Sequence, residues 1–415
     1  MGPRDTVPLL LAMVGLPARG KTFIARKLER YLNFVGHPAR VFNVGSYRRE
    51  RLGASQGATF FDPENTEARS VLDGLAMEAL DDALTFLERG GRVAIYDATN
   101  STVARRDAVR ARVAAAGADA PQIVFVESKC DDPTIIDANV RDTKLRSPDY
   151  MGVSADDAVR DFRQRIEHYA RMYEPLAEGE GSFIRIIDVG QKVVLNRIQG
   201  YLPARLVPLL ISMHVAPRPI YLSRHGESEF NVDGRIGGDS GLSGRGRLYA
   251  ERLAGLVRAE LEGLGRRDLV LWTSTLRRTI ETSLPLGRPP AMWKALDEID
   301  AGRCDGMTYE EIRLKLPAEH EARKADKFRY RYPRGESYED VIQRLDPVAI
   351  ELERQRSPVL VIAHNAIVRA LYAYLMGVPS HECPTLPVPL HTVIKITPTA
   401  YGCEETRLEL GPRVA

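Results

Sequence analysis

The sequence predicts an α/β protein of two successive domains, each built on a mostly parallel sheet. Three observations carry this. Apolar runs of strand length alternate with segments of helical spacing, a glycine-rich loop joins the first run to the first helical segment, and the alternation restarts after prolines at 217 and 219.

Residues 8–15 form a continuous apolar run, as in a strand covered on both faces. Helical spacing follows over 21–35, at Ile24, Leu28, Tyr31 and Leu32. Then come a short strand at 40–44, a long helix over 64–87, a strand at 92–96 ending at Asp97, another at 123–126, and helices over 156–172 and 193–210. The two prolines precede a fresh strand at 220–223, which sets the expected domains at 1–215 and 216–415. The second domain continues with strands at 269–272 and 358–363 and helices over 277–284 and 366–376.

With 44% hydrophobic and 27% charged residues among 415, the composition is that of a folded chain. A net charge of +2 gives no field that favours nucleic acid, so anion binding must come from local clusters. Cys130, Cys304, Cys383 and Cys403 are far apart with no CxxC pair, poor material for zinc or disulfides, and reduced thiols in the cytoplasm are expected. The opening apolar run is too short to cross a bilayer and leads straight into the glycine loop. It reads as a strand, not as a signal peptide or membrane anchor.

Gly15-Leu16-Pro17-Ala18-Arg19-Gly20-Lys21-Thr22 fits G-x-x-x-x-G-K-[ST] and lies between a strand and a helix, the context that phosphate loop requires. The first domain is therefore expected to be of P-loop kinase type. Gly15 and Gly20 let backbone N–H groups approach phosphate, Lys21 reaches the β- and γ-phosphates of ATP, and Thr22 holds Mg²⁺. Asp97, at a strand end, can organise the Mg²⁺ or accept a proton from an attacking hydroxyl; its competing reading is a helix cap or turn residue. Arg48, Arg49, Arg105, Arg106, Lys144 and Arg165 are cations available to an acidic acceptor, although each taken singly reads as a solvated surface residue.

Arg224-His225-Gly226-Glu227 follows the first strand of the second domain. A histidine at a strand's C-terminal end can attack phosphorus and carry the phosphoryl group, given cations around the phosphate and an acid for the leaving oxygen. Arg224, Arg278, Glu298 and His364 supply these, each at a strand end or in a glycine-containing loop. One histidine alone would read as structural; the ordered set makes His225 and His364 a site. His37, His168, His214, His320, His381 and His391 keep the structural reading. The neighbouring arginines disfavour a histidine–carboxylate metal site, so no cofactor is expected in this half.

The strings Gly-Leu-Pro-Ala-Arg-Gly-Lys-Thr (15–22), Tyr-Arg-Arg-Glu (47–50), Asp-Ala-Thr-Asn (97–100), Ser-Pro-Asp-Tyr (147–150), Arg-His-Gly-Glu (224–227), Glu-Ile-Asp-Ala-Gly (298–302), Arg-Tyr-Pro-Arg-Gly-Glu-Ser-Tyr (331–338) and Pro-Leu-His-Thr-Val (389–393) span nearly the whole chain. In this order the chain resembles the bifunctional 6-phosphofructo-2-kinase/fructose-2,6-bisphosphatase family. The resemblance implies a histidine-phosphatase (phosphoglycerate mutase-like) second domain. It implies ATP and fructose 6-phosphate as substrates of the first domain and fructose 2,6-bisphosphate as substrate of the second. On this resemblance Arg48, Thr99, Arg105, Lys144, Arg165 and Tyr169 grip the sugar phosphate. Asn139 and Cys130 border the nucleotide, Lys144 also steadies the transferring phosphoryl, and Asp97 is the catalytic aspartate. It makes His225 the phosphorylated nucleophile and Glu298 the proton donor. Arg224, Asn231, Gly237, Arg278 and His364 then ring the C2 phosphate, and Tyr309, Arg323, Lys327, Tyr338 and Arg369 hold the rest of the bisphosphate. Homodimers are common in such enzymes, and one is expected here by that analogy alone.

Two departures stand out. Leu72 occupies the place of a family arginine that touches the sugar phosphate, with Arg69 three positions earlier on a similar helix face as a candidate substitute. Asn365 stands where the family has glutamine, beside the second histidine. Vertebrate-type terminal extensions, and control through them, are not expected. Two other readings stay open: the same folds acting on a different phosphorylated sugar or a polynucleotide end, and a nucleotide-binding regulatory scaffold without turnover. The Leu72 departure favours the first; the filled catalytic positions argue against the second.

Overall fold

The computed structural model describes residues 7–54, 56–141, 148–214, 216–399 and 402–411. Its chain divides into two compact units, Met1–Val215 and Ala216–Ala415. Among the described residues no helix is long and apolar enough to cross a membrane.

The first unit holds β1 (Leu9–Val14), β2 (Ala39–Asn43), β3 (Val93–Asp97), β4 (Gln122–Lys129), β5 (Phe183–Ile187) and β6 (Lys192–Asn196), in the sheet order β2-β3-β1-β4-β5-β6. All neighbours run parallel except β5 and β6. β1 and β3 are buried along their whole length, as suits apolar runs covered on both faces, with Asp97 the one charged residue, at the end of β3. Leu10, Ala12 and Val14 pack with Leu80, Ala83 and Leu84 of the helix Thr66–Glu88 and with Tyr96, each buried leucine stabilising the unit by about 1.5–3 kcal/mol. The parallel register sets Asn43 directly beside Asp97, so two polar side chains end neighbouring strands next to the loop that leaves β1.

The helix expected over 193–210 is instead two elements. β6 pairs antiparallel with β5, and a separate helix, Tyr201–Ser212, begins after Gly200 at φ 91. Val193 and Val194 suit an edge strand, and the left-handed Gly200 interrupts any continuous helix. The apolar run at 183–187 that pairs with β6 had no place in the spacing pattern.

The second unit holds β7 (Ile220–Arg224), β8 (Val270–Thr273), β9 (Ala291–Met292), β10 (Val359–Ala363), β11 (Thr392–Pro398) and β12 (Cys403–Glu409), in the order β12-β11-β7-β10-β8-β9. β7, β10, β8 and β9 are parallel, while β11 is antiparallel to both its neighbours. Tyr221, Leu360, Ile362 and Val393 of this sheet pack on Leu253, Val257 and Leu261 of the helix Gly244–Gly263. The register pairs Arg224 with Ala363, so the residue after each, His225 and His364, leaves the sheet at the same level on adjacent strands.

Candidate active sites

In the first unit, the loop after β1 is shaped by its glycines. Gly15 has φ 136, and a Cβ there would lie 2.5 Å from the Ser128 carbonyl oxygen, so no other residue fits. Its N–H donates to the Thr99 carbonyl at 2.9 Å. Gly20, at φ 79, precedes the helix Lys21–Phe34 with no side chain capping it, which leaves the first-turn N–H groups to an anion. The buried Lys21 donates to the Leu16 carbonyl at 2.7 Å, curling its ammonium over the loop. Asn139 donates to the Ala18 carbonyl at 3.1 Å and so borders the same loop. Cys130 is buried nearby in sequence after β4, and burial raises its thiol pKa.

Asp97 is buried at the end of β3. Its Oδ2 accepts from Thr22 Oγ1 at 2.8 Å and from Asn43 Nδ2 at 2.5 Å. Asn43 was not singled out from the sequence. It caps the helix Val44–Leu52 by accepting from Ser46 N at 3.0 Å, and that helix carries Arg48. An asparagine between a strand and a helix is a recognisable cap signal, but only the strand register brings it to Asp97.

Arg48 is buried, and its NH2 donates to both oxygens of Asp149 at 2.7 Å, while its Nε and NH1 have no hydrogen-bond partner. The Arg165 guanidinium lies 3.6 Å from the Phe61 ring centroid, with Arg48 at 5.4 Å from the same ring. Tyr169 packs on Phe61 at 6.2 Å between ring centroids. Burial lowers the pKa of Arg165. Thus Arg48, Arg165 and Tyr169 converge on one aromatic plate, and Asp149 and Phe61 are members of the cluster that sequence reasoning gave no role. Arg105 pairs with Asp73. Arg69, the candidate substitute for the missing family arginine, is exposed and donates to the Pro63 carbonyl at 3.3 Å. Lys144 lies outside the described residues.

In the second unit, His225 and His364 are buried with ring centroids 5.1 Å apart. His225 Nδ1 lies 2.7 Å from the Gly226 carbonyl, which can only accept, so the proton sits on Nδ1 and the lone pair on Nε2. Burial, then the nearby Arg278, lowers the His225 pKa well below the usual histidine value; burial and Arg278 do the same to His364. Both rings are therefore neutral at pH 7. Arg224 donates to the Val388 carbonyl at 3.0 Å and Arg278 to the Gly238 carbonyl at 2.7 Å, and burial lowers the pKa of each. Glu298 accepts from the backbone N–H groups of Asn365 at 3.1 Å, Ala366 at 3.2 Å and Ile299 at 3.0 Å, which seats it at the N-terminus of the helix Asn365–Met376. Gly237, at φ 71, lets Asp305 approach: a Cβ would meet its Oδ1 at 1.7 Å. Asn231 Oδ1 accepts from Ser228 N at 3.0 Å, which leaves its amide nitrogen as a donor.

A second cationic group adjoins. Arg323 donates to Tyr332 OH at 2.8 Å and Tyr309 OH at 3.0 Å. Arg369 donates to the Leu386 carbonyl at 2.7 Å, with Tyr338 OH 3.5 Å from its NH1. Lys327 donates to the Pro384 carbonyl at 3.0 Å; burial, then Arg369 and Arg323, bring its pKa down to about 8. Tyr332 lies in the 331–338 string and Ser274 in the candidate segment 273–278 at the end of β8, but the sequence assigns no individual role to either or to Thr279; Ser274 and Thr279 hydrogen-bond around His364. Asn365 Oδ1 is buried without a partner.

The arrangement offers two distinct kinds of anion site: main-chain amides with a hydroxyl–carboxylate pair in one unit, guanidinium and imidazole groups in the other. Comparison with known proteins agrees with that division. Residues 2–217 match the family model for 6-phosphofructo-2-kinase, and residues 220–410 match that of the histidine phosphatase superfamily (branch 1). The chain is 52% identical to 6-phosphofructo-2-kinase/fructose-2,6-bisphosphatase of Gallus gallus, over 96% of this chain and 84% of that one. It is 49% identical to the protein of the same name from Arabidopsis thaliana, over 99% of this chain and 55% of that one. Among solved structures it is similar to a putative alpha-ribazole-5'-P phosphatase from Escherichia coli, 22% identical with a TM-score of 0.41 over 47% of this chain and 97% of that one. With kinase and phosphatase halves matched in order and near-complete coverage at this identity, the chain belongs to the 6-phosphofructo-2-kinase/fructose-2,6-bisphosphatase family.

Proposed function

We propose that the first unit phosphorylates fructose 6-phosphate at C2 with ATP and that the second hydrolyses the C2 phosphate of fructose 2,6-bisphosphate through a phosphohistidine. The observation that carries the reading is the coexistence, in one chain of this family, of a complete phosphate loop beside Asp97 and a pocket in which His225, His364, Arg224, Arg278 and Glu298 converge.

For the kinase, the Thr22 hydroxyl and Asp97 carboxylate, 2.8 Å apart, are hard oxygen donors that fit a magnesium ion, and Gly15 gives the backbone clearance that bound phosphates need. Magnesium, when bound with ATP, neutralises phosphate charge. This chain's residues do the rest. Lys21 and the first-turn amides hold the phosphates; Arg48, Arg165 and Tyr169, with Thr99, Arg105 and Lys144, position the sugar phosphate. Asp97 presents the carboxylate that can receive the C2 hydroxyl proton.

For the phosphatase, His225 Nε2 attacks phosphorus, the P–O2 bond breaks, and Glu298 gives its proton to the leaving oxygen. Water then attacks the phosphohistidine, Glu298 takes the proton, and the N–P bond breaks. Arg224, Arg278, Asn231 and the backbone at Gly237 hold the equatorial oxygens, while Tyr309, Arg323, Lys327, Tyr338 and Arg369 hold the remainder of the sugar bisphosphate. We place the enzyme in the cytoplasm as a homodimer with no nucleic-acid partner; sedimentation of the purified chain checks the oligomeric state. Incubation with C2-labelled bisphosphate should leave acid-labile label on the protein, absent from His225→Ala; label retained in that variant would overturn the nucleophile assignment.

A further inference from the structure

His364 has two ring nitrogens and only one is spoken for. Its Nε2 lies 2.8 Å from Ser274 Oγ, and its Nδ1 is buried with no hydrogen-bond partner. Ser274, Thr279 and His364 are each 0% exposed, so no bulk water competes for these atoms. We propose that Ser274 is a positioning residue of the phosphatase site: its hydroxyl donates to His364 Nε2 and thereby fixes the tautomer that carries its proton on Nδ1, the nitrogen left to donate to a phosphoryl oxygen. The proposal rests on the bisphosphatase reading for its ligand, not for its geometry.

The hydroxyl network around His364 can be satisfied with the Ser274 proton on the histidine side. Leu276 N–H donates to Ser274 Oγ at 3.1 Å, filling one lone pair of the hydroxyl. Thr279 Oγ1 sits 2.8 Å from both Ser274 Oγ and the Leu276 carbonyl, and its one proton can go to either. With the Thr279 proton on Ser274 Oγ, both lone pairs of that hydroxyl are filled and its own proton goes to His364 Nε2. A neutral imidazole that accepts at Nε2 must be protonated at Nδ1. The opposite tautomer would present a lone pair to the phosphoryl oxygens, which are themselves acceptors, and would repel them. Burial and the charges of Arg278 and Arg224 keep the ring neutral, so the choice of tautomer, not of charge, decides whether it can bind the anion. The ring also stands at the start of the helix Asn365–Met376, whose backbone holds Glu298, so a ring free to turn would disturb acid and anion site together.

The test uses the full chain labelled with ¹⁵N-histidine. In the wild type the His364 resonances, assigned by loss in His364→Gln, should report a protonated Nδ1 and an unprotonated Nε2. Ser274→Ala should lose that preference and lower bisphosphatase kcat/KM about 10- to 100-fold, by analogy with the loss of a partner that orients a metal-bound histidine. Ser274→Thr, which keeps the hydroxyl, should restore most of the rate. Kinase activity of the same preparations reports folding of the chain, and thermal unfolding of the second unit reports any packing loss. A wild-type proton on Nε2, or Ser274→Ala with undiminished hydrolysis, overturns the proposal. Wild-type chain that does not hydrolyse the bisphosphate, yet shows the Nδ1 tautomer, would sink the substrate reading and leave the tautomer assignment standing.

Discussion

The two sites hold their polar groups in different states. In the first unit most functional side chains already have partners inside the protein: Lys21 on the Leu16 carbonyl, Thr22 and Asn43 on Asp97, Arg48 on Asp149, Arg105 on Asp73. Among the described functional side chains, buried atoms without a partner are Arg224 Nε, His364 Nδ1 and Asn365 Oδ1 in the second unit, and in the first Arg48 Nε and NH1 and Arg165 Nε of the sugar-phosphate cluster, not the groups around the phosphate loop. An unmet buried donor or acceptor costs about 1–3 kcal/mol, so the phosphatase pocket and the Arg48–Arg165 cluster are held ready for an anion by the surrounding fold, whereas Lys21, Thr22 and Asp97 must exchange internal contacts for substrate. The difference follows from the chemistry. A hydrolase admits water as its second substrate, so a rigid pocket serves it. A kinase must keep water from ATP, and a site completed only by its substrates does so. Arg48 belongs partly to each pattern: one nitrogen pairs with Asp149 while Nε and NH1 wait.

That comparison can be broken by asking each site to act alone. The largest effect is expected at His225: alanine there should reduce bisphosphatase turnover by at least ~10³-fold, as for other lost nucleophiles, with the kinase rate unchanged. Asp97→Asn keeps the size of the side chain and removes its charge. It should slow the kinase by about 10²–10⁴-fold, the contribution of a positioned acid or base, and leave C2-phosphate hydrolysis intact. Arg48→Ala should raise the kinase KM for fructose 6-phosphate about 10- to 150-fold, equivalent to a charged hydrogen bond of ~1.5–3 kcal/mol, with a smaller change in KM for ATP.

The smallest effect separates the sites by pH. An unperturbed histidine would be half protonated near pH ~6.5, but the His225 and His364 pKa values are depressed by burial and Arg278. Phosphatase kcat/KM should therefore hold steady as pH falls through 6.5, and a half-maximal loss there would contradict the neutral pair. The same shifts carry a stability cost of defined sign. Below pH ~6.5 the unfolded chain binds protons that the folded rings refuse, so the second unit should lose up to about 1.4 kcal/mol per pH unit for each histidine. Its chemical-denaturation midpoint at pH 7 and pH 5.5 measures this.

Much of both sites was legible because the residues are consecutive. The loop from Gly15 to Thr22 and the turn at Arg224–Gly226 each carry their chemistry within a few positions, and β1, β3, β7 and β10 are apolar runs with no competing pattern. What escaped depends on register or on distant packing. Asn43 reaches Asp97 only because β2 and β3 pair in parallel at that level. Asp149 meets Arg48 across 101 positions of chain, and Ser274 meets His364 across 90. β6 was read as helix because its valines and leucine fit a helical spacing until β5 is known to lie beside them. Arg69 is exposed and donates to the Pro63 carbonyl just before its own helix, while Asp73, one turn on, pairs with Arg105, a link that helical spacing alone does not give.

The central claim is that two separate sites act in opposite directions on the same C2 oxygen. The most direct measurement follows fructose 2,6-bisphosphate over time in mixtures of ATP and fructose 6-phosphate, for the wild type, Asp97→Asn and His225→Ala. The account predicts that His225→Ala accumulates more bisphosphate than the wild type, and that Asp97→Asn makes it at least ~10²-fold more slowly but consumes what is added. Bisphosphate made by Asp97→Asn at the wild-type rate, or hydrolysed as fast by His225→Ala as by the wild type, would contradict it.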